Sequence, residues 1–176
     1  ARVTISGTRE TVGDYDHDGW QDLFLTNPLK RARDRNALYR NLGGLRFERI
    51  PLPALDEINE HPERQGLIAG SMFVDYDNSG RQSLLLTTGW GQVKLLKNTP
   101  EGFRDVTAES GIDEYTVSVA ATMADFDRDG DLDLFIGNAM SPLLPGYDPP
   151  ERFNIFQLPQ PAGENDRRPY HFMHST

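Results

Sequence analysis

Three aspartate-rich loops, each with a glycine at its sixth position, run directly into short apolar segments. They are Asp14-Tyr-Asp-His-Asp-Gly-Trp-Gln-Asp22, Asp75-Tyr-Asp-Asn-Ser-Gly-Arg-Gln-Ser83 and Asp125-Phe-Asp-Arg-Asp-Gly-Asp-Leu-Asp133. Oxygen donors at positions 1, 3, 5 and 9 suit a hard cation. Calcium takes about six to eight oxygens, and a glycine-centred turn points alternate side chains inward. A surface turn needs one or two such residues, and four or five carboxylates in so small a space repel one another without a cation. The loops start at 14, 75 and 125, so they are 61 and 50 residues apart, a spacing that marks a repeat architecture.

The segments after the loops are Leu23-Phe24-Leu25, Leu84-Leu85-Leu86 and Leu132-Asp133-Leu134-Phe135-Ile136, too short for helices and bounded by turn residues. Further strands are predicted over Ala37–Leu42 and, after a Gly43-Gly44 turn, over Leu45–Ile50, where apolar and charged residues alternate. The second unit repeats this order with Gln92–Asn98, a turn at 99–102 and Phe103–Thr107. One strand precedes each loop, clearest in Gly66–Val74 and Val117–Ala124. Residues Pro53–Glu60 predict one or two helical turns, and Thr107–Gly111 a short turn. Four strands per unit, repeated at this spacing, predict an all-β chain of three four-stranded propeller-type blades. Their boundaries fall at about 1–60, 61–112 and 113–176. The third unit carries a proline-rich insertion over 139–169, with strand candidates at Arg152–Leu158 and Arg168–Met173.

Composition narrows the function. Of the 27 acidic residues, eleven sit in the loops; without them the net charge of −9 becomes about +2. The acidity therefore belongs to the loops, and no basic stripe is present to neutralise nucleic-acid phosphates. The run Lys30–Arg35 reads as a solvated turn. Absence of cysteine excludes a disulfide framework and a thiolate metal site. No apolar stretch approaches the roughly eighteen residues of a membrane span. The chain starts at Ala1, which fits a secreted protein whose leader has been removed and equally a trimmed piece of a longer one. Calcium loops favour the secreted, periplasmic or extracellular setting, where calcium is abundant.

An EF-hand is disfavoured, because its twelfth loop position is a bidentate glutamate and here it is Leu25, Leu86 or Ile136. A β-hairpin calcium loop fits better, with position 7 giving its backbone carbonyl (Trp20, Arg81, Asp131). On this reading Asp14, Asp16, Asp18 and Asp22 hold one ion, and Asp125, Asp127, Asp129 and Asp133 another. The middle loop offers Asp75 and Asp77 with Ser79 and Ser83, two fewer charges, so that site is expected to be weak or empty. His17, at position 4, is expected to point outward, and Trp20 and Trp90 to pack or line a rim. His171 and His174, three residues apart in a strand, would lie on opposite faces. No Gly-x-Ser-x-Gly, P-loop or His-Glu-x-x-His pattern occurs. The acidic residues Asp56, Glu57, Glu60 and Glu63 near His61 read as a solvated turn, so no catalytic residue and no enzymatic activity is expected.

The loops, together with Asn36–Gly43 and Gly102–Ile112, resemble the FG-GAP or VCBS repeats of integrin-type β-propellers. They are similar in particular to secreted proteins related to cartilage acidic protein and the ASPIC/UnbV group. The resemblance covers about residues 10–140. It implies a non-enzymatic, calcium-stabilised module for protein interaction, adhesion or structural assembly. A carbohydrate-binding or carbohydrate-active propeller is the alternative, with a glycan as partner. Propellers have about four to eight blades, so three units imply a piece of a longer chain or protein partners that complete the ring.

Overall fold

The computed structural model describes residues 9–26, 35–61, 65–112 and 115–140. The strand candidates at Arg152–Leu158 and Arg168–Met173, the proline-rich insertion beyond Met140, His171, His174, Glu63 and residues 30–34 of the basic run lie outside them.

Three antiparallel sheets follow one another along the chain. The first is β1 (Arg9–Gly13), β2 (Asp22–Thr26), β3 (Ala37–Asn41) and β4 (Phe47–Ile50), paired in chain order. A 310 turn (Pro53–Leu55) and a short helix α1 (Asp56–Glu60) then lead to the second sheet. Its strands are β5 (Leu67–Val74), β6 (Ser83–Gly89), β8 (Lys94–Thr99) and β9 (Gly102–Asp105), with the two-residue strand β7 (Gly91–Gln92) between β6 and β8. The third contains β10 (Tyr115–Ala124) and β11 (Asp133–Met140), and β7 joins its other edge through Tyr115 with Gln92 and Thr116 with Gly91. The aspartate loops are the hairpin connections between β1 and β2, β5 and β6, and β10 and β11.

The segment Gln92–Asn98, predicted as one strand, is split at Val93. Trp90 turns the chain with a φ of 57°, so that β7 meets β10 while β8 returns to pair with β6. The fourth strand of the first sheet also differs from expectation. Leu45 sits in the turn with a φ of 59°, closed by Leu42 N–H donating to Arg46 O at 2.8 Å, so β4 begins only at Phe47. It is the edge of the sheet and is mostly exposed rather than half-buried.

Register dictates which residues meet. In a strand successive side chains take opposite faces, so loop positions 10 and 12 share a face and position 11 takes the other. In the first sheet Phe24, at position 11, packs with Leu38 onto Leu84, Leu86 and Leu96 of the second. In the second sheet Leu85, at position 11, packs with Leu95 against Leu134, Ile136, Ala121 and Met123 of the third. The middle sheet is thus covered on both sides, and all seven residues of β6 are buried. Each fully buried leucine of that strand contributes about 1.5–3 kcal/mol relative to exposure. Phe135, the position-11 residue of the third sheet, is 63% exposed, against 0% for Phe24 and 1% for Leu85.

Polar contacts tie the joints. Thr11 Oγ1 donates to Ser71 O at 2.9 Å between β1 and β5. Asn36 and Asn59 exchange hydrogen bonds, including Asn36 N–H to Asn59 Oδ1 at 2.9 Å, which fastens α1 to the start of β3. The helix buries Ile58 and Asn59; Asp56, Glu57 and Glu60 are exposed along it.

At the rim between the second and third sheets, Gly91 lies so near the Gln65–Gly66 backbone that a Cβ placed there would stand 1.9 Å from Gln65 O. Gly91→Ala should therefore destabilise the chain by at least about 1–3 kcal/mol, the usual cost of overpacking. A lower urea midpoint with an unchanged slope would show it; an unchanged midpoint would place the backbone elsewhere.

Candidate metal centre

The three loops share one backbone path. Position 4 is in the left-handed region in each, with φ of 59° at His17, 54° at Asn78 and 66° at Arg128. Glycine at position 6 also has positive φ: 87° at Gly19, 79° at Gly80 and 98° at Gly130. A side chain at positive φ is strained, which explains the glycine at 6. At position 4, Asn78 and His17 are residue types that enter this region more readily than most, and Arg128 is held there by the hydrogen bonds of the loop.

Those bonds recur. The position-1 carboxylate accepts the N–H groups of positions 5 and 6: Asp14 from Asp18 and Gly19 at 3.1 and 3.0 Å, Asp75 from Ser79 and Gly80 at 2.9 and 2.8 Å, Asp125 from Asp129 and Gly130 at 3.1 and 3.1 Å. Position 5 accepts from the N–H of position 7, through Asp18 to Trp20 at 2.9 Å, Ser79 to Arg81 at 3.4 Å and Asp129 to Asp131 at 2.9 Å. The position-9 aspartates accept from position 2, Asp22 from Tyr15 N–H at 3.1 Å and Asp133 from Phe126 N–H at 2.9 Å. Asp22 is fully buried and its other oxygen accepts Asn41 N–H at 2.8 Å. Ser83 takes over that second bond in the middle loop, accepting Asn98 N–H at 3.1 Å. Burial raises the Asp22 carboxyl above its ordinary range, against the lowering effect of the Asn41 and Tyr15 N–H groups.

Two groups of carboxylates converge. Oxygens of Asp14, Asp16 and Asp18 lie within 4.8 Å of one another, and so do oxygens of Asp125, Asp127 and Asp133. Asp22 and Asp129 stand outside these groups, and the middle loop brings together only Asp75 and Asp77 as carboxylates. Asp16 Oδ1 is buried and meets no hydrogen-bond donor among the described residues. An all-oxygen donor set with an unused buried lone pair fits a hard divalent cation such as calcium.

Cations of the chain itself already lie on two loops, a feature that motif reading missed. Arg40 Nε is 2.6 Å from Asp16 Oδ2, with Nη2 3.3 Å from Asp18 Oδ2. Lys97 Nζ is 2.6 Å from Asp77 Oδ2, and its hydrogen bond holds the Asp77 carboxyl below the usual range. The signal was present in the sequence as Arg40-Asn41 and Lys97-Asn98 in matching places of β3 and β8. The aromatic residues at position 2 face the following sheet: Tyr15 stacks at a tilt on Phe103, ring centres 5.6 Å apart, and Asn98 Nδ2 donates to Tyr15 O at 2.7 Å. Phe126, their counterpart in the third loop, is 61% exposed. Trp20 is exposed and lies over Gly43, and His17 is exposed.

A family model of FG-GAP-like repeats accounts for part of this pattern. Residues 75–136 match it. The match runs from the first aspartate of the second loop to Ile136 in β11, so it takes in the second and third aspartate loops and leaves the first outside. No curated protein matches the chain.

Two outcomes check this geometry. Asp22→Ala strips two inward N–H groups of their acceptor, each loss costing about 1–3 kcal/mol. The urea midpoint should fall even in chelator, where no ion contributes. Burial first, then the charges of Asp16 and Asp22, raise the Tyr15 hydroxyl from 10.0 to about 12. A folded pKa above the unfolded one keeps its stabilising contribution below pH 10 and loses it towards about pH 12, so Tyr15→Phe should flatten stability across that window.

Proposed function

We propose that this chain is a non-enzymatic, calcium-binding FG-GAP-like module for protein–protein interaction, adhesion or structural assembly, working in a secreted, periplasmic or extracellular setting. The observation that carries the calcium reading is the convergence of Asp14, Asp16 and Asp18, and of Asp125, Asp127 and Asp133, within 4.8 Å. The ion would be held in the first loop by these three with Asp22 and the carbonyl of Trp20, and in the third by its three with Asp129 and the carbonyl of Asp131. Bound calcium supplies the positive charge that lets such carboxylates stay together and ionised.

The interaction reading is supported by the FG-GAP-like match and by the open faces of the stack. The exposed Phe126 and Phe135 stand where Tyr15 and Phe24 pack onto a following sheet. A partner surface that continues the stack, and so completes a propeller, fits that face. The likeness to the cartilage acidic protein and ASPIC/UnbV group belongs to this reading. Among the described residues no helix is long and apolar enough to cross a membrane.

Calorimetric titration of the chain with calcium should show two equivalents taken up at up to millimolar concentration. Asp127→Ala should remove the one at the third loop and lower the melting temperature measured in calcium. No uptake by the unaltered chain would overturn the calcium reading, and an unchanged melting temperature would overturn the assignment of that loop.

A further inference from the structure

Arg40 and Lys97 occupy one and the same place in their units. Each precedes the asparagine that fastens the third strand to the hairpin. Asn41 N–H bonds Asp22 and Asn98 N–H bonds Ser83, at 2.8 and 3.1 Å, while their side-chain amides donate to Gln21 O and Gln82 O at 2.9 and 3.2 Å. That shared anchor sets the preceding side chain over the position-3 carboxylate, at 2.6 Å in both units. The two loops beneath them differ. Under Lys97 lie two aspartates and two serines; under Arg40 lie four aspartates. In the third loop, with five aspartates, no Lys or Arg makes an ion pair among the described residues.

We propose that the basic residue before the third-strand asparagine is a tethered cation that decides which loops take calcium: Lys97 stands in for the ion in the middle loop, and Arg40 competes with it in the first. The inference rests on the calcium reading above and extends it to the cations that the chain itself supplies at the first and middle loops. An ammonium 2.6 Å from Asp77 Oδ2 already balances one of the two carboxylates of the middle loop. An incoming ion would have to displace Lys97 and then find only Asp75, Asp77 and two hydroxyls as side-chain donors. The loop keeps its shape regardless, because Asp75 closes it through Ser79 and Gly80 N–H as its counterparts do. In the first loop one guanidinium is set against a loop of four carboxylates, of which it touches Asp16 and Asp18, so an ion can win but must first dislodge Arg40 from those two. Arg40 thus weakens the first site, and the middle loop is metal-free.

The test is calcium calorimetry on the whole chain, with urea unfolding in EDTA to confirm that each variant folds. The unaltered chain should bind two equivalents. Arg40→Gln should tighten one of them on the order of tenfold by removing a competing unit charge, and Arg40→Lys should leave it near its original value. Ser79→Asp/Ser83→Asp should add a weak third equivalent, and adding Lys97→Gln should tighten it on the order of tenfold. Unchanged binding in Arg40→Gln, or a third equivalent in Ser79→Asp/Ser83→Asp that Lys97→Gln leaves unchanged, would overturn the inference and leave the calcium reading standing. No uptake by the unaltered chain but uptake by Arg40→Gln would overturn that reading for the first loop and support the tethered cation. No uptake by any variant would overturn both.

Discussion

The carboxylate at the first loop position is the contact on which the other levels of order depend. It gathers the N–H groups of positions 5 and 6 in all three loops, with donor–acceptor distances between 2.8 and 3.1 Å. Doing so forces the left-handed turns at positions 4 and 6 and fixes where the second strand starts. Because side chains alternate along a strand, a shift of one residue would turn every core residue of the hairpin to the wrong side. The loop therefore sets the register, and the register sets which leucines meet. A shape held by backbone N–H groups needs no metal to close it, and the same carboxylates are left crowded together.

From that register the stack follows. Position 11 and the position-2 aromatic of each sheet look forward, while positions 10 and 12 look back. The middle sheet is satisfied on both sides, which is why β6 tolerates the uninterrupted run Leu84-Leu85-Leu86 that an isolated half-buried strand would not carry. The first sheet presents half-buried Leu23 and Leu25 on its backward face, and the third presents Phe135 on its forward face. These are the two ends of a series in which each unit needs a neighbour to bury its apolar residues.

Much of this was legible in the sequence because it is periodic. Loop spacing, the glycine at position 6 and the apolar triplets located the hairpins, and Pro53–Glu60 was readable as the short helical link. What escaped has identifiable physical causes. Leu45 reads as a strand residue by alternation, but the Leu42–Arg46 bond puts it in a turn. Gln92–Asn98 reads as one strand, yet its first residue pairs with β10, a partner more than twenty residues onward that local pattern does not reveal. Asp22 and Asp133 both sit at position 9 and look equivalent on paper. Only in three dimensions does Asp22 lie outside the converging group of its loop, while Asp133 belongs to that of the third.

The serines of the middle loop show how such a repeat can lose charge without losing form. Of the two hydrogen bonds Asp22 makes, Ser83 preserves the one that reaches the third strand, and Ser79 preserves the link from position 5 to position 7. What the serines do not preserve is negative charge, and there the chain supplies Lys97 above the remaining pair. Shape and charge are thus separable functions of the same loop positions. Backbone hydrogen bonding constrains position 1 in every unit, because no other group reaches both N–H donors. Positions 5 and 9 are free to exchange carboxylate for hydroxyl wherever a side-chain cation takes over the electrostatic role. A loop that keeps its position-1 carboxylate thus stays a closed hairpin, and its neighbours in the stack still find their leucines in place.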